Sequence, residues 1–289
     1  MTYTYTHLDE FFKLSTWDRD IKGSFGLQPP PGNWEGFRKR IAELQGQCAE
    51  DESIKVIFAA RHGQAEHNVI KDNYRVPQDL ILSARHLFQK GKWATAHVLY
   101  PILDPDLTPL GREQAAALGH ALRREAGRGM PLPERYFVSP LKRAGETCGI
   151  EWGWVFGEPD DGGKGHGVKA TVLENLREHL HVHLCDKRSK RSELEKEFPT
   201  FTYEPSMTEE DELWEPLEVR GRESDDDLVA RLGVGVRQAL DASEGATYLS
   251  ITSHSEAIRG VYKALGVPPR DLVVGQMNII VLRIKKVAE

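Results

Sequence analysis

Cysteine is scarce in this chain of 289 residues: only Cys48, Cys148 and Cys185 occur, unevenly spaced and without a Cys-x-x-Cys pair. That excludes a disulfide framework and a thiolate zinc site of ordinary spacing, and leaves reduced, buried thiols as the default. A basic excess is also missing, since 38 Lys and Arg face 44 Asp and Glu for a net charge of -6. Non-specific nucleic-acid binding needs a basic face that displaces counterions, so no nucleic-acid partner is expected, although a local basic pocket stays open. No segment approaches a membrane span, and the start, MTYTYTHLDEFFKLS, lacks a basic region followed by a signal-type apolar core. No membrane partner is expected, and the expected location is the cytoplasm, with the nucleus as a second compartment. Internal repeats, heptad arrays, a GxxxxGK[ST] phosphate loop and a DxDxDG calcium loop are all absent.

What is present suits a folded enzyme-sized protein, with 39% hydrophobic and 28% charged residues. Residues 1 to 50 read as an arm in which GLQPPPGN is a loop and Trp34, Phe37, Ile41 and Leu44 form one helical stripe packed on the main domain. Phe11, Phe12, Trp17 and Phe25 argue against a disordered tail. Thr108 and Pro109 open a helix closed near Gly127 or Gly129, with Leu110, Gln114, Ala117, Leu118, Ala121 and Leu122 on one face. Ser224 opens another, with a stripe of Leu228, Leu232, Val236 and Leu240. The glycine-rich run GGKGHG reads as a surface connection, and the acidic, proline-containing stretch from about 195 to 223 as a solvated excursion or lid.

Three junctions carry chemistry. In KVIFAARHGQAEHN a short apolar run breaks straight into Arg61, His62 and Gly63, so a strand covered on both faces would deliver a basic pair to the sheet's carboxyl edge. Gly63 there is expected to let the backbone turn sharply. Tyr136, Phe137 and Val138 likewise run into Ser139 and a helix carrying Arg143, and Tyr248 to Ile251 end at His254 before a helix. Two arginines offer forked donors that match phosphate oxygens, and two histidines offer a nucleophile or proton exchanger near neutral pH. A phosphorylated substrate is the natural target.

The fragments RHGQAEHN, DPDLTPLGREQA, VSPLKRAGET, LREHL, RESDDDLVAR and TSHSEAIRG follow one another as in the histidine phosphatase superfamily, which this chain resembles from about Lys55 to Ile284. The resemblance, to the phosphoglycerate mutase-like branch 1 type, implies an α/β fold: a three-layer α/β/α sandwich with a mostly parallel central sheet. It implies a single domain over 1-289, with arm 1-50, matched core 55-284 and an acidic insertion at about 195-223. It further implies that His62 is the nucleophile and that Arg61, Arg143 and His254 clamp the phosphate. Asn68 adds a hydrogen bond, and Glu178 in LREHL is the proton donor, with His254 also counted among the catalytic groups. Glu174, four residues earlier, stays open as an alternative donor.

Departures from the family pattern bear on the substrate. His179, His181 and His183 alternate, so on a strand they would share a face, yet no matching carboxylate or cysteine spacing supports a metal site. They are therefore read as structural or substrate-contacting, with His181 and His183 the candidates for substrate contact and Lys187 and Arg188 for contact with a distal anionic group. The CDKRS segment that carries them is similar to a phosphomutase-like subgroup. Ser255, where many members have glycine, narrows the pocket or adds a hydrogen bond. The activity implied is hydrolysis of a small phosphomonoester, with neither metal nor cofactor, by a monomer or homodimer. The alternatives are a phosphoglycerate-type mutase, and a histidine phosphatase fold serving as a protein-interaction module.

Overall fold

A computed structural model of the chain describes residues 2-14, 23-73, 103-156, 167-181, 183-214 and 221-287. The stretch after Asn73, the run GGKGHG as far as residue 166, and residues 215-220 of the acidic segment lie outside the described residues.

Everything is arranged about one seven-stranded sheet of order β1-β7-β2-β6-β3-β4-β5. Its strands are β1 (Thr2–His7), β2 (Glu52–Arg61), β3 (Arg135–Val138), β4 (Ala170–Val172), β5 (Thr202–Tyr203), β6 (Tyr248–Ser253) and β7 (Met277–Val287). From β2 to β5 every neighbouring pair is parallel, and β1 and β7 add an antiparallel edge. Among the described residues the α-helices are α1 (Trp34–Gly46), α2 (Glu66–Asn73), α3 (Pro109–Gly127), α4 (Lys142–Phe156), α5 (Arg191–Glu197), α6 (Asp225–Asp241) and α7 (Ser255–Ala264).

Strand alternation divides the core into two layers. Ile54, Val56, Phe58 and Ala60 of β2 face one apolar cluster, built with Trp34 and Phe37 of α1, Leu118 of α3 and Trp152 of α4. Ile57 and Ala59 face the other, with Leu228, Leu232 and Val236 of α6 and Ile258 and Val261 of α7. Burying both faces is what a nearly continuous apolar strand requires, and each large aliphatic or aromatic side chain so buried contributes about 1.5 to 3 kcal/mol. Helix starts are fixed by side chains: Asn33 accepts from Gly36 N–H at 2.8 Å, Thr108 from Gly111 N–H at 3.0 Å and Ser224 from Asp227 N–H at 3.1 Å. In α3 the buried face is Ala115, Leu118, Ala121 and Leu122, while Leu110 and Ala117 are exposed and Gln114 is half-buried, so of the expected stripe Leu118, Ala121 and Leu122 face the core. Among the described residues no helix is long and apolar enough to cross a membrane.

The N-terminal arm is wired into this core. β1 pairs along β7 from Thr2 opposite Val287 to His7 opposite Leu282, which the alternating Thr and Tyr of TYTYTH concealed by offering no aliphatic signal. The Phe37 ring meets Phe11, Phe12 and Trp34 edge-on at 5.5, 5.3 and 5.8 Å. Trp34 Nε1 donates to buried Glu125 of α3 at 3.0 Å.

In the acidic stretch Glu195, Glu197, Glu209, Glu210 and Glu212 are exposed, as expected of a solvated excursion, but Asp211 and Glu223 depart from that expectation. Buried Asp211 takes two hydrogen bonds from fully buried Arg177, both at 2.7 Å, and Glu223 takes two from Arg231 at 2.7 and 2.8 Å. These carboxylates are internal counter-charges.

Phe37→Ala is expected to lower the unfolding free energy by about 3 to 5 kcal/mol in urea titrations, the usual cost of emptying a buried aromatic site. A loss of about 1 kcal/mol or less would mean that the arm unfolds separately from the core.

Candidate active site

Parallel pairing places the three junctions side by side. Arg61 stands opposite Ser253 and Val138 opposite Thr252, so His62, Ser139 and His254 all leave the sheet at the same edge of adjacent strands. There a cleft of about 910 Å³ is lined by Arg61, His62, Asn68, Arg143, Glu178 and Ser255, with His183 on its wall. His254 lies immediately beneath, its ring centroid 5.0 Å from that of His62.

The bend after His62 depends on space more than on turning. Gly63 lies outside the left-handed region, and a Cβ on it would strike the backbone of Gly111, while a Cβ on Gly111 would strike Gln64. Two glycines thus allow the start of α3 to close on the end of β2, in place of the expected sharp turn. Gly63 N–H donates to Thr147 Oγ1 at 3.0 Å, and the Thr147 hydroxyl donates to the Arg143 carbonyl at 2.7 Å.

His62 Nδ1 lies 2.6 Å from the Gly63 carbonyl, which can only accept; Nδ1 therefore carries the proton and Nε2 keeps its lone pair. Burial, then Arg143 and Arg61, hold this imidazole well below its ordinary pKa, so it is neutral at physiological pH. His254 is held low for the same reasons, burial first and then Arg143. Its Nε2 meets the Ser139 hydroxyl at 2.8 Å, so with that hydroxyl donating, Nδ1–H is a free donor.

The arginines are braced by backbone. Arg61 Nη1 donates to Leu272 carbonyl at 2.6 Å, and Arg143 donates from Nη1 to Cys185 carbonyl at 2.7 Å and from Nη2 to Asp186 Oδ1 at 2.8 Å. Arg61 Nε, Arg143 Nε and His254 Nδ1 are among the buried nitrogens that have no hydrogen-bond partner among the described residues. Buried donors are ordinarily paired, so this concentration marks a place for acceptor oxygens.

Glu178 accepts from the His179 and Glu256 backbone N–H groups at 3.0 and 3.1 Å, the second at the start of α7. Burial, and then the Asp186 carboxylate, push its pKa up to about 7, so near neutrality it can give or take a proton. Glu174 is engaged elsewhere, by Arg177 at 2.9 Å and by Arg188 at 2.9 Å, and does not line the cleft.

Other expected contacts are displaced. The histidine-rich segment is a turn, with His181 at a φ of 63°, so the three histidines do not share a strand face. His181 packs on Trp214 at 5.2 Å and reaches the Leu213 carbonyl, away from the cleft. Lys187 does not line the cleft either. Arg188 is buried and spends its donors on Glu174 and on the carbonyls of Ser189, Thr208, Glu209 and Glu210, so it staples a loop instead of meeting a substrate. Asn68 keeps its place on the cleft, its Oδ1 accepting from Ala65 N–H at 2.9 Å.

Cleft residues that the sequence did not single out include His67, Asp186 and Arg222. His67 lies within the RHGQAEHN fragment, its ring 5.8 Å from that of His62, and Asp186 within CDKRS. A search for cations to meet an anion passes over an aspartate.

A three-layer α/β/α sandwich with paired histidines and arginines at its central strand edge matches a known class. Residues 57–286 match the model of the histidine phosphatase superfamily (branch 1), and the chain belongs to that family. A relative from Arthroderma benhamiae named "Probable phosphoglycerate mutase" is 32% identical over 98% of this chain and 79% of its own length. "Probable phosphoglycerate mutase PMU1" of Saccharomyces cerevisiae is 30% identical over 87% of this chain and 85% of its own. Among solved structures, the ecdysone phosphate phosphatase from Bombix mori in complex with tungstate overlays with a TM-score of 0.48 at 19% identity, covering 78% of this chain and 88% of that one.

Inorganic phosphate titrated into the protein, followed by calorimetry, should bind about 10- to 100-fold more weakly to Arg61→Gln, the loss expected of a charge-assisted hydrogen bond. Unchanged affinity would place the anion elsewhere.

Proposed function

We propose that the protein is a phosphomonoesterase that transfers the phosphoryl group of a small phosphorylated metabolite to His62 and then to water, with no metal required. The observation that carries the reading is the set of unpartnered nitrogens of Arg61, Arg143 and His254 beside a neutral His62 whose Nε2 keeps its lone pair.

In the first step the His62 Nε2 lone pair forms the N–P bond while the bond from phosphorus to the ester oxygen breaks. The leaving oxygen takes the bonding pair and receives the Glu178 proton. Arg61, Arg143 and His254 stabilise the phosphoryl oxygens in flight, where fixed donors are worth most because they need not reorganise. In the second step the Glu178 carboxylate removes a proton from water as its oxygen attacks phosphorus, and the N–P bond pair returns to Nε2. Asn68 steadies the same phosphate region, and Ser255 and His183 meet the remainder of the substrate.

The names of the relatives favour a second reading, a phosphomutase, in which the phosphoryl group on His62 returns to another oxygen of the retained substrate. That requires an extra basic anchor. Arg222 on the cleft wall, which makes no ion pair among the described residues, is the candidate, whereas Arg259 is already paired with Glu256 and Asp271. Service as an interaction module would give up the reactivity of this constellation.

Incubation with glycerol phosphate and with a phosphoglycerate should release inorganic phosphate. With Glu178 near a pKa of about 7, kcat/KM should fall as pH rises above 7, because the acid form is lost. Glu178→Gln should lower kcat about 10²- to 10⁴-fold and remove that alkaline fall. Isomerised product without free phosphate would decide for the mutase.

A further inference from the structure

A carboxylate beside a phosphate pocket raises a physical question, because it repels the anion that the pocket is to hold. Asp186 is such a group: it lines the cleft, is 4% exposed, and sits 2.8 Å from Nη2 of Arg143, itself 1% exposed. Its position is imposed from behind. Arg177 Nη2 donates to the Asp186 carbonyl at 2.7 Å, and Arg177 is locked by its double bond to Asp211. Two hydrogen bonds of 2.7 and 2.8 Å, to Cys185 carbonyl and Asp186, occupy both ends of the Arg143 fork and leave Nε unpartnered.

We propose that Asp186 is a positioning residue for the reaction, one that fixes the Arg143 guanidinium in the phosphate pocket and acts from the same cleft wall on the general acid Glu178. The proposal rests on the reading of Glu178 as general acid and adds to it the group that sets its protonation. Besides Arg61, Arg143 and Asp186, the cleft that Glu178 lines carries the titratable or charged side chains of His62, His67, His179, His183, Arg222, Asp225, Glu256, Arg259 and Asp271. The His179 and Glu256 N–H groups and Arg143 favour its ionised form, burial and Asp186 oppose it, and Arg61 of β2 also feels its charge. Asp186 itself bonds Arg143 and lies beside the Cys185 thiol, and its charge is felt at Glu178 on the same cleft.

The arrangement has a use in both steps. Before transfer, Asp186 keeps Glu178 in the acid form that the leaving oxygen needs. After transfer, the Glu178 carboxylate stands near a second carboxylate, so it retakes a proton readily, and water is the source. Arg143, neutralised in part by Asp186, binds the phosphoryl group less tightly in the ground state, which favours release of phosphate.

The test is made on the full chain with glutamate labelled at the carboxyl carbon, the Glu178 resonance being assigned by its loss in Glu178→Gln. The wild-type midpoint should lie at about 7. Asp186→Asn, which can still accept from Arg143, should lower it by about one pH unit or more, and Arg143→Gln, which removes the opposing charge, should raise it. The alkaline limb of kcat/KM for phenyl phosphate should move with the midpoint in Asp186→Asn. A midpoint and limb unmoved in Asp186→Asn, with only a lower rate at every pH, would reduce Asp186 to a structural role and overturn the proposal. So would shifts of the wrong sign in either variant. Absence of turnover in the wild type would instead sink the phosphatase reading, while the carboxyl titration would still decide the coupling of Asp186 to Glu178.

Discussion

The structure depends on the register of three parallel strands. With β2, β6 and β3 hydrogen-bonded in that order, Arg61 opposite Ser253 and Val138 opposite Thr252, the residues that follow each strand must emerge together. A slip of one residue would turn every side chain of a strand to the other face, and both faces here are packed. The two apolar layers therefore fix the register, and the register fixes the distance between His62 and His254. Chemistry at the edge is a consequence of packing in the middle.

Placement of Glu178 follows a different rule. It rides on an irregular segment, and what holds that segment is ion pairing below the surface: Arg177 with Asp211, Arg188 with Glu174, and Arg231 with Glu223. Such pairs bring little net stability, because desolvation offsets most of the attraction, but a partner removed leaves a buried charge unmatched. They act by permitting one geometry and penalising others. Arg231 also donates to the carbonyls of Asn175, Arg177 and Glu178, so the chain on either side of the acid is fixed through its backbone.

The regular part of this molecule was legible in the sequence for reasons that are local. β2 announced itself by an apolar run that breaks into charge, α1 by its stripe, α3 and α6 by their stripes and caps, and the family motifs by their order. β1 was not legible, because an alternation of Thr and Tyr resembles a polar tail until β7 is there to pair with it. The histidine-rich segment misled through spacing: alternation implies a shared face only on a strand, and the left-handed φ at His181 turns it instead. Arg188 was misread because a guanidinium signals an anion without revealing whether that anion is a substrate or Glu174. Asp211 and Glu223, unlike the exposed acids around them, are internal, and they looked solvated for the mirror-image reason, their arginine partners lying 34 and 8 positions away. Long-range charge pairing leaves no local pattern, and the parts of the site built from it had to await the fold.

The central claim is that a phosphoryl group passes through His62 Nε2. Rapid mixing of the protein with a phosphomonoester, quenching in base and mass spectrometry of the peptides tests it directly. The account predicts an acid-labile phosphoryl group on the peptide that carries His62, formed in the first turnover and absent from His62→Asn. A phosphoryl group on another residue, or undiminished turnover in His62→Asn, would contradict it.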